Sequence, residues 1–374
     1  MKKHLPRYSI RNIFTDNNNW ERYKLNHPEL DSYIIEEVER MLDCCNPKKG
    51  FFVGHCKHCD KDVIMCIRCN GKVCSRCGRS YADKWVKKAK RKVANELHRL
   101  VTLTVPADLR PILKNRWDLL KILQDSAHEA LVIVAKRTLK RKKVKLGMLV
   151  GLQTYGQDIK FHPHPHCMVL EKAYCKGEEL NFSYIQKTFL RRIWRNTVVK
   201  NLCKAQISYE DKQLVQHMLD KYPNGFVTDV GGRSMNRASV IRYLARYIRH
   251  PAMADSRILF YGKGRVTIGM KDKQKKPYSI WFTVDEFITR LIQHIPPKNF
   301  KVVRWYGVYS RREVRLTREK SKQESMPTSS EIKRGKIKCP KCKCALSDII
   351  FFPAVPPNGE KLKEKMNYWL EVLS

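Results

Sequence analysis

Apolar residues recur along most of this chain with the spacing of amphipathic helices or of half-buried strands. Between residues 107 and 140, and again between 181 and 220, they return every three or four positions, which predicts helices. Alternating or apolar runs at 147–155 and 160–170 flank Gly156-Gln157-Asp158, which predicts a hairpin. The same spacings predict strands at 99–105, 226–232, 258–269 and 278–284, and helices at 33–42, 81–97, 239–249 and 285–294. Because strands and helices interleave from residue 99 to 310, this block is predicted to form an α+β domain.

Composition predicts four regions. Residues 1–43 are expected to form a helical segment and residues 81–310 the main domain, to which the motifs discussed below assign catalysis. Residues 44–80 are rich in cysteine, contain four glycines and have little apolar content. So small a core needs a metal staple to fold, which predicts a zinc ribbon. Residues 311–374 are expected to hold a basic linker followed by a tail with one Cys-x-x-Cys pair.

The charge of the chain indicates a polyanionic partner. Lys and Arg number 75 against 36 Asp and Glu, which gives a formal net charge of +39. The basic residues come in blocks, such as the seven Lys or Arg between residues 136 and 145. This excess predicts binding to DNA, since basic residues release counterions from a phosphate backbone. No long apolar segment is visible, so we expect no membrane partner and a cytoplasmic, nucleoid-associated protein.

The fourteen cysteines are clustered, which favours metal binding over disulfides. Two Cys-x-x-Cys pairs complete a tetrahedral zinc site, and the first choice is Cys56 and Cys59 with Cys74 and Cys77. Further cysteines and histidines compete for a second ion: Cys66, Cys69, Cys44, Cys45, His55 and His58. Cys339 and Cys342 form half a site, for which an inert turn and a second zinc are equally good interpretations. A closed site of four thiolates predicts a structural role.

The run Phe161-His162-Pro163-His164-Pro165-His166 carries the first candidate chemistry. Residues two apart on a strand share a face, so His164 and His166 can offer two imidazoles to one divalent metal ion. A surface turn that binds metal adventitiously is the competing interpretation, but an apolar strand continues the run. Gln153 on the partner strand is expected to face the histidines as a third ligand, with His162 and His294 as alternatives.

The helix predicted at 239–249 carries the second set of residues with candidate chemistry. Tyr243 and Tyr247 lie one turn apart and share a face, as ordinary packing residues also would. Three arginines on the same helix change that interpretation, because guanidinium groups hold phosphate and stabilise a nearby phenolate. Tyrosine attack on a phosphodiester would give a 5′-phosphotyrosine and a free 3′-hydroxyl. The residues expected to contact DNA are Arg242, Arg246, Arg249, Lys142 and Lys143.

Taken in order, these motifs resemble the two-tyrosine HUH transposases of the zinc-ribbon insertion-sequence group, which move as single strands by a rolling-circle-like route. The resemblance runs over most of the chain, through Cys69-Asn70-Gly71-Lys72-Val73-Cys74-Ser75-Arg76-Cys77, Asp83-Lys84-Trp85, Val101-Thr102-Leu103-Thr104-Val105-Pro106, Leu152-Gln153-Thr154-Tyr155-Gly156, His162-Pro163-His164-Pro165-His166, Tyr243-Leu244-Ala245-Arg246-Tyr247, Asp285-Glu286-Phe287-Ile288, His294-Ile295-Pro296-Pro297-Lys298-Asn299-Phe300 and Arg304-Trp305-Tyr306-Gly307. One departure is Val73, at a position where this family often has His or an aromatic residue.

The resemblance implies a palm-like antiparallel sheet with the two histidines on a central strand. It further implies that His164 and His166 bind Mg²⁺ or Mn²⁺, that Tyr243 and Tyr247 are nucleophiles, and that single-stranded element ends are the substrate. A rolling-circle replication initiator or relaxase would share this chemistry. A non-catalytic zinc-ribbon DNA-binding protein is the alternative from another class. Zinc hydrolysis is disfavoured, since the chain has no His-Glu-x-x-His motif.

Overall fold

The computed structural model describes residues 8–71, 73–232, 234–248, 252–272, 274–310 and 337–353. The described helices are α1 (Ile10–Thr15), α2 (Asn19–Asn26), α3 (Ser32–Leu42), α4 (Ser75–Lys90), α5 (Arg110–Leu113), α6 (Trp117–Thr138), α7 (Lys187–Cys203), α8 (Tyr209–Lys221), α9 (Arg237–Ile248) and α10 (Val284–Ile292). The described strands are β1 (Gly50–Cys56), β2 (Lys61–Cys66), β3 (His98–Leu103), β4 (Lys145–Tyr155), β5 (Phe161–Cys175), β6 (Glu178–Asn181), β7 (Thr228–Val230), β8 (Ile258–Gly262), β9 (Arg265–Lys271), β10 (Pro277–Thr283), β11 (Val303–Gly307) and β12 (Ser347–Pro353). Among the described residues, no helix has the length and apolar character needed to cross a bilayer.

The central sheet is antiparallel and runs in the order β11-β4-β5-β3-β7, with β6 paired to one end of β5. The hairpin predicted around Gly156-Gln157-Asp158 is β4 and β5. One face of the sheet packs on α6 and α7, where Leu120, Leu131 and Trp194 are fully buried. The α+β class and the antiparallel sheet with helices are therefore confirmed, and the histidines lie on its central strand.

The prolines of β5 fall where the strand can tolerate them. Pairing of β3 with β5 ends at Thr102 opposite His166, so among the described strands only β4 pairs with residues 161–165. Proline lacks the N–H that a second neighbour would need, and it is accepted where a strand is an edge. Pro163 and Pro165 lie in this part of β5, with both side chains buried.

The opposite face of the sheet is covered by α4 and α9. Val240, Ile241 and Leu244 of α9 pack on Leu149 and Met168 of the sheet. Helices α4 and α9 also contact each other, since the Arg237 guanidinium donates to the Lys90 carbonyl at the end of α4 over 3.2 Å. Helix α4 begins at Ser75, inside the cysteine-rich segment, so one helix links that segment to α9.

A second apolar core joins the N-terminal helices to a smaller sheet. Helices α1–α3 pack against β8–β10 and α10, with Phe14, Trp20 and Phe287 almost fully buried. Helix α10 begins at a capping box, in which Thr283 and Glu286 each accept from the other's backbone N–H. Residues 1–43 were predicted as a separate helical segment, but the described part of them shares this core.

The cysteine-rich ribbon includes a strand from the far end of the chain. Strands β12, β1 and β2 form one antiparallel sheet in that order. Phe51 stacks on Phe352 across the β1–β12 pair, with ring centroids 5.2 Å apart. The tail was predicted to follow a basic linker and to hold half a metal site, and its residues 347–353 pair with β1 of the ribbon. Residues 311–336 of the predicted linker lie outside the described residues.

Candidate functional site

Three histidines of β5 lie on the face of the sheet that α9 covers. His162, His164 and His166 alternate with the two prolines, and neighbouring imidazole centroids are 5.0 and 4.8 Å apart. On β4, Gln153 lies directly opposite His164 and Gly151 directly opposite His166. Gln153 therefore faces the pair, as expected from counting back across the hairpin turn.

His164 is held with one nitrogen available to a ligand. Its Nδ1 lies 2.7 Å from the carbonyl oxygen of His162, and a carbonyl only accepts, so Nδ1 carries the proton and donates. Burial lowers the pKa of His164 to about 4, so the ring is neutral near pH 7. A neutral ring with a protonated Nδ1 presents Nε2 as a lone-pair donor, which is the state that a metal ion requires.

His166 contacts both Gln153, a predicted metal ligand, and Tyr243 of α9. It is 6% exposed, and its Nε2 lies 3.0 Å from the Gln153 Oε1. The amide orientation is set by the Gln153 Nε2, which donates to the Tyr155 carbonyl over 2.9 Å. On the other side of the ring, Nδ1 lies 3.1 Å from the Thr102 hydroxyl and 3.2 Å from the Tyr243 hydroxyl.

The close approach of α9 to the sheet places Tyr243 beside His166. Gly151 has no side chain, and a Cβ at this position would come within 3.2 Å of the Leu244 side chain. The absence of a side chain on Gly151 thus lets Leu244 settle on β4. Tyr243, the preceding residue, then lies edge-on to the His166 ring, with centroids 5.6 Å apart.

The donor set fits a divalent cation. Two imidazole nitrogens and one amide oxygen come from adjacent strands, and burial keeps competing water away from one side. Three protein ligands leave coordination positions for phosphate oxygens, as metal-assisted phosphoryl transfer requires. His164, His166 and Gln153 are therefore the residues that would hold such an ion.

Both ring nitrogens of His294, one alternative ligand, are hydrogen-bonded, one to a backbone carbonyl and one to a side-chain hydroxyl. Its Nε2 donates to the Ile159 carbonyl over 3.0 Å, and its Nδ1 accepts from the Thr154 hydroxyl over 3.0 Å. Burial lowers the pKa of His294 to about 4. The other alternative, His162, is half-buried, and burial with the nearby Arg110 charge lowers its pKa as well.

The lowered pKa of the buried His294 predicts that the stability of the fold depends on pH. Its pKa is about 4 in the fold and ~6.5 in the unfolded chain, so between these values only the unfolded chain takes up the proton. Acidification from pH 7.5 to pH 5 should therefore cost about 2 kcal/mol of unfolding free energy through this residue. Urea unfolding at both pH values should show that the loss of unfolding free energy on acidification is smaller in His294→Gln than in the wild type by that amount. The exposed His217→Gln should keep the full effect, and an unchanged pH effect in His294→Gln would contradict the argument.

The predicted DNA-contacting residues are spread over the molecule. Arg242 is exposed on α9, whereas the side chains of Arg246 and Tyr247 and all of Arg249 lie outside the described residues. Lys142 and Lys143 are exposed just before β4. Gln153 lies eight residues along β4 from Lys145, which is roughly 26 Å at the rise of an extended strand. These two lysines are thus at the opposite end of the sheet from the histidines.

A basic groove beside the histidines was not predicted from the sequence. It encloses about 730 Å³ between α5, the start of β5 and α10, and Arg110, Lys114, Lys160 and Arg290 line it. Arg110 is close enough to lower the pKa of His162 and His164 through its charge. The four residues come from three distant segments and form no basic block in the sequence, so charge density along the chain could not reveal them.

The cysteines form two groups that differ from the predicted pairing. Four sulfurs within 4.8 Å of one another belong to Cys44, Cys69, Cys74 and Cys77. Cys56 and Cys59 lie in a separate group with Cys339 and Cys342. The expected site of Cys56, Cys59, Cys74 and Cys77 is therefore wrong, because the ribbon places the two pairs in different groups. Cys66 joins neither group and forms a disulfide with Cys45.

The first group has the chemistry of a structural zinc site. Cys77 lies 3.5 Å from Cys44 and 3.6 Å from Cys69, sulfur to sulfur. Cys74 is the N-cap of α4, where the helix dipole favours a thiolate, and the Gly71 N–H donates to the Cys69 sulfur over 3.2 Å. Burial raises the pKa of Cys44 to about 11, so a cation is needed to hold this group as thiolates. Four thiolates would leave no position open for substrate.

Two protein-family models match different parts of this chain. Residues 15–105 match the model described as "Transposase zinc-binding domain", of the IS91 type. Residues 147–316 match the model described as "Putative transposase" and include β4, β5 and α9. The chain therefore belongs to the family of transposases that carry an IS91-type zinc-binding domain.

Curated relatives extend the match across both domains. The chain is 26% identical over 320 residues to the transposase for insertion sequence element IS801 of Pseudomonas savastanoi pv. phaseolicola, covering 81% of this chain and 76% of the relative. It is 22% identical over 312 residues to "Putative transposase y4qJ" of Sinorhizobium fredii, covering 78% of each chain. No solved structure matches the chain significantly.

Proposed function

We propose that this transposase cuts and rejoins single-stranded DNA through a covalent tyrosine intermediate, with Tyr243 as a nucleophile. The contact between the Tyr243 hydroxyl and His166, 3.2 Å long, carries the proposal. It places a phenol beside a histidine whose other nitrogen faces Gln153, on a sheet where His164 presents a second ring nitrogen. Tyr247 lies one helical turn further along α9 and is proposed as the second nucleophile.

A divalent cation such as Mg²⁺ or Mn²⁺ would polarise a non-bridging phosphate oxygen and orient the phosphodiester. With the His166 Nε2 used as a ligand, its Nδ1 keeps the proton and donates toward the Tyr243 oxygen. That hydrogen bond would orient the Tyr243 oxygen and stabilise the negative charge that develops on the attacking oxygen. Thr102, on the same side of the ring, holds the imidazole in this orientation.

The reaction conserves the number of phosphodiester-type bonds. A bond forms between the Tyr243 oxygen and phosphorus as the bond from phosphorus to the 3′ oxygen breaks. The phenol proton is balanced by the proton that the released 3′-hydroxyl gains. Because the phosphotyrosine retains the bond energy, a second 3′-hydroxyl can reverse the step and join a new strand without ATP.

The basic groove gives the DNA a path to this site. Arg110, Lys114 and Lys160 lie beside the first residues of β5, and a single strand bound there would reach the histidines with its phosphates neutralised. The groove also contains Asp285 and Glu286, so its basic side is the one that we propose for the backbone. The exposed Arg242 on α9 is proposed to hold the strand near Tyr243.

Polarity of the covalent product tests the proposal. Full-length protein is mixed with single-stranded oligonucleotides that carry the element's ends, labelled at either the 5′ or the 3′ terminus, with Mn²⁺ or with EDTA. A protein–DNA band on a denaturing gel should need metal and should appear only with the 3′ label, because the 5′ phosphate of the downstream fragment stays on tyrosine. Retarded DNA without a covalent band would instead indicate a non-catalytic DNA-binding protein. An adduct with a relaxase origin but not with element ends would indicate a replication initiator or relaxase.

A further inference from the structure

The second cysteine group joins two parts of the chain that are far apart in sequence. Cys56 and Cys59 lie at the end of β1 and in the turn after it, whereas Cys339 and Cys342 precede β12. The C-terminal pair lies outside both matched regions, residues 15–105 and 147–316. We propose that these four cysteines bind a second structural zinc ion, which fastens the C-terminal segment to the ribbon.

The sulfur positions suit a tetrahedral ion. All four sulfurs lie within 4.8 Å of one another, and Cys56 lies 3.5 Å from Cys342, sulfur to sulfur. Zinc–sulfur bonds of ~2.3 Å in a tetrahedron separate the sulfurs by about 3.8 Å, so a small adjustment is enough. Cys56 and Cys339 are 0% and 3% exposed, whereas Cys59 and Cys342 are partly exposed, so the ion would be shielded on one side.

Both halves of the group contain a backbone hydrogen bond and a left-handed residue, although the hydrogen bond spans three residues in one half and four in the other. The Cys59 N–H donates to the Cys56 carbonyl over 3.2 Å, and the Lys343 N–H donates to the Cys339 carbonyl over 3.0 Å. The residue directly after the second cysteine takes the left-handed conformation in each half, with φ of 48° at Asp60 and 68° at Lys343. Non-glycine residues adopt this conformation less readily than glycine, and its occurrence at the same position in both halves gives the two cysteine pairs a similar turn.

A left-handed residue directly after a cysteine also occurs in the first group, which lies in the matched zinc-binding domain. Asn70 follows Cys69 there and also takes a left-handed conformation, with φ of 49°. Cys45 follows Cys44 of the same group with φ of 55°, so four cysteines of the ribbon are followed by a left-handed residue. Two of them belong to the group that includes Cys339 and Cys342.

Packing around the second group holds the C-terminal segment in place before any ion binds. β12 pairs with β1 from Gly50 opposite Pro353 to His55 opposite Ser347. Leu346 is buried against the cysteines, and its N–H donates to the Ile337 carbonyl over 2.8 Å. With so little apolar area in this sheet, the ion would supply the remaining cohesion.

Zinc content of the purified full-length chain tests the proposal. The wild type should contain two zinc ions per chain, and Cys339→Ser/Cys342→Ser should contain one. Hydrogen exchange should then rise selectively across residues 347–353 in the double variant, with β4 and β5 unchanged. Cys344→Ser is the matched control, because Cys344 is exposed and lies outside the group of four, and it should keep two ions.

Several results would overturn the proposal. One ion in the wild type, or two in Cys339→Ser/Cys342→Ser, would show that this group does not bind zinc. Loss of an ion in Cys344→Ser would replace the ligand set with one built on Cys344 and His58, whose atoms also approach Cys342. If the double variant fails to fold, Co²⁺-substituted wild type decides: two tetrathiolate centres should give twice the charge-transfer absorption per chain of a single centre, and absorption for one centre would refute the proposal.

Discussion

Replacing Tyr243 by phenylalanine is expected to lower the yield of the covalent protein–DNA adduct by about 10³-fold or more, since the nucleophilic oxygen is removed. The ring itself should stay in place, because it packs with α9 residues such as Val240 and Leu244 against the sheet. Affinity for single-stranded DNA should therefore change little. Adduct yield on denaturing gels and binding by fluorescence anisotropy measure the two effects separately.

Two other tyrosines serve as controls for this variant. Tyr209 is 71% exposed on α8, and Tyr209→Phe makes the same chemical change away from the site, so it should retain full adduct formation. Tyr247→Phe should retain the first adduct and fail in transfer to a second strand, if Tyr243 attacks first. Undiminished adduct in Tyr243→Phe, with its loss in Tyr247→Phe, would reverse the order of the two nucleophiles. Adduct formation by the double variant would refute tyrosine attack altogether.

Replacement of His166 by alanine should reduce metal-dependent cleavage on the order of 10²- to 10³-fold, because two functions are lost together. The ring supplies one proposed metal ligand through Nε2 and faces the Tyr243 hydroxyl through Nδ1. His164→Ala should lose metal affinity by a comparable factor without disturbing the contact to the tyrosine. Titration of Mn²⁺ against cleavage rate distinguishes them, since excess Mn²⁺ should partly restore His164→Ala and leave His166→Ala inactive.

His217→Ala is the control for the histidine variants, since His217 is exposed on α8 and its loss should leave cleavage unchanged. Folding of each variant can be checked by thermal unfolding. Cleavage by His166→Ala at the wild-type rate, with the same dependence on Mn²⁺, would refute this histidine as a ligand. The same result would show that the contact between His166 and Tyr243 is not needed for cleavage, and the proposed role of Tyr243 rests on that contact.

The hairpin and its register were readable from the sequence, because turn position and strand periodicity are local properties. Counting back from Gly156-Gln157-Asp158 placed Gln153 near His164, and the structure pairs them directly. Residues 107–140 were predicted to be helical, and the structure divides them into α5 and α6. Asn115 lies between the two helices and takes a left-handed conformation, with φ of 60°. The spacing of apolar residues does not predict this break.

Pairing of the cysteines was not readable, because ligands can come together from any distance along the chain. Three Cys-x-x-Cys pairs within one short segment favoured a site built inside it, whereas Cys56 and Cys59 have their partners in the C-terminal segment. For the same reason the sequence did not reveal the basic groove, whose arginines and lysines lie in or directly beside α5, β5 and α10. Local spacing predicts which residues could bind, and the tertiary fold decides which of them meet.

The pairing of β1 with β12 has a consequence during synthesis of the protein. β1 emerges from the ribosome early, but its partner strand follows about 290 residues later. At elongation rates of about 5–20 residues per second, β1 waits roughly 15–60 s for β12. The ribbon is thus completed only by a chain translated through residue 353, and a prematurely terminated transposase would carry the histidines and tyrosines with an unfinished ribbon.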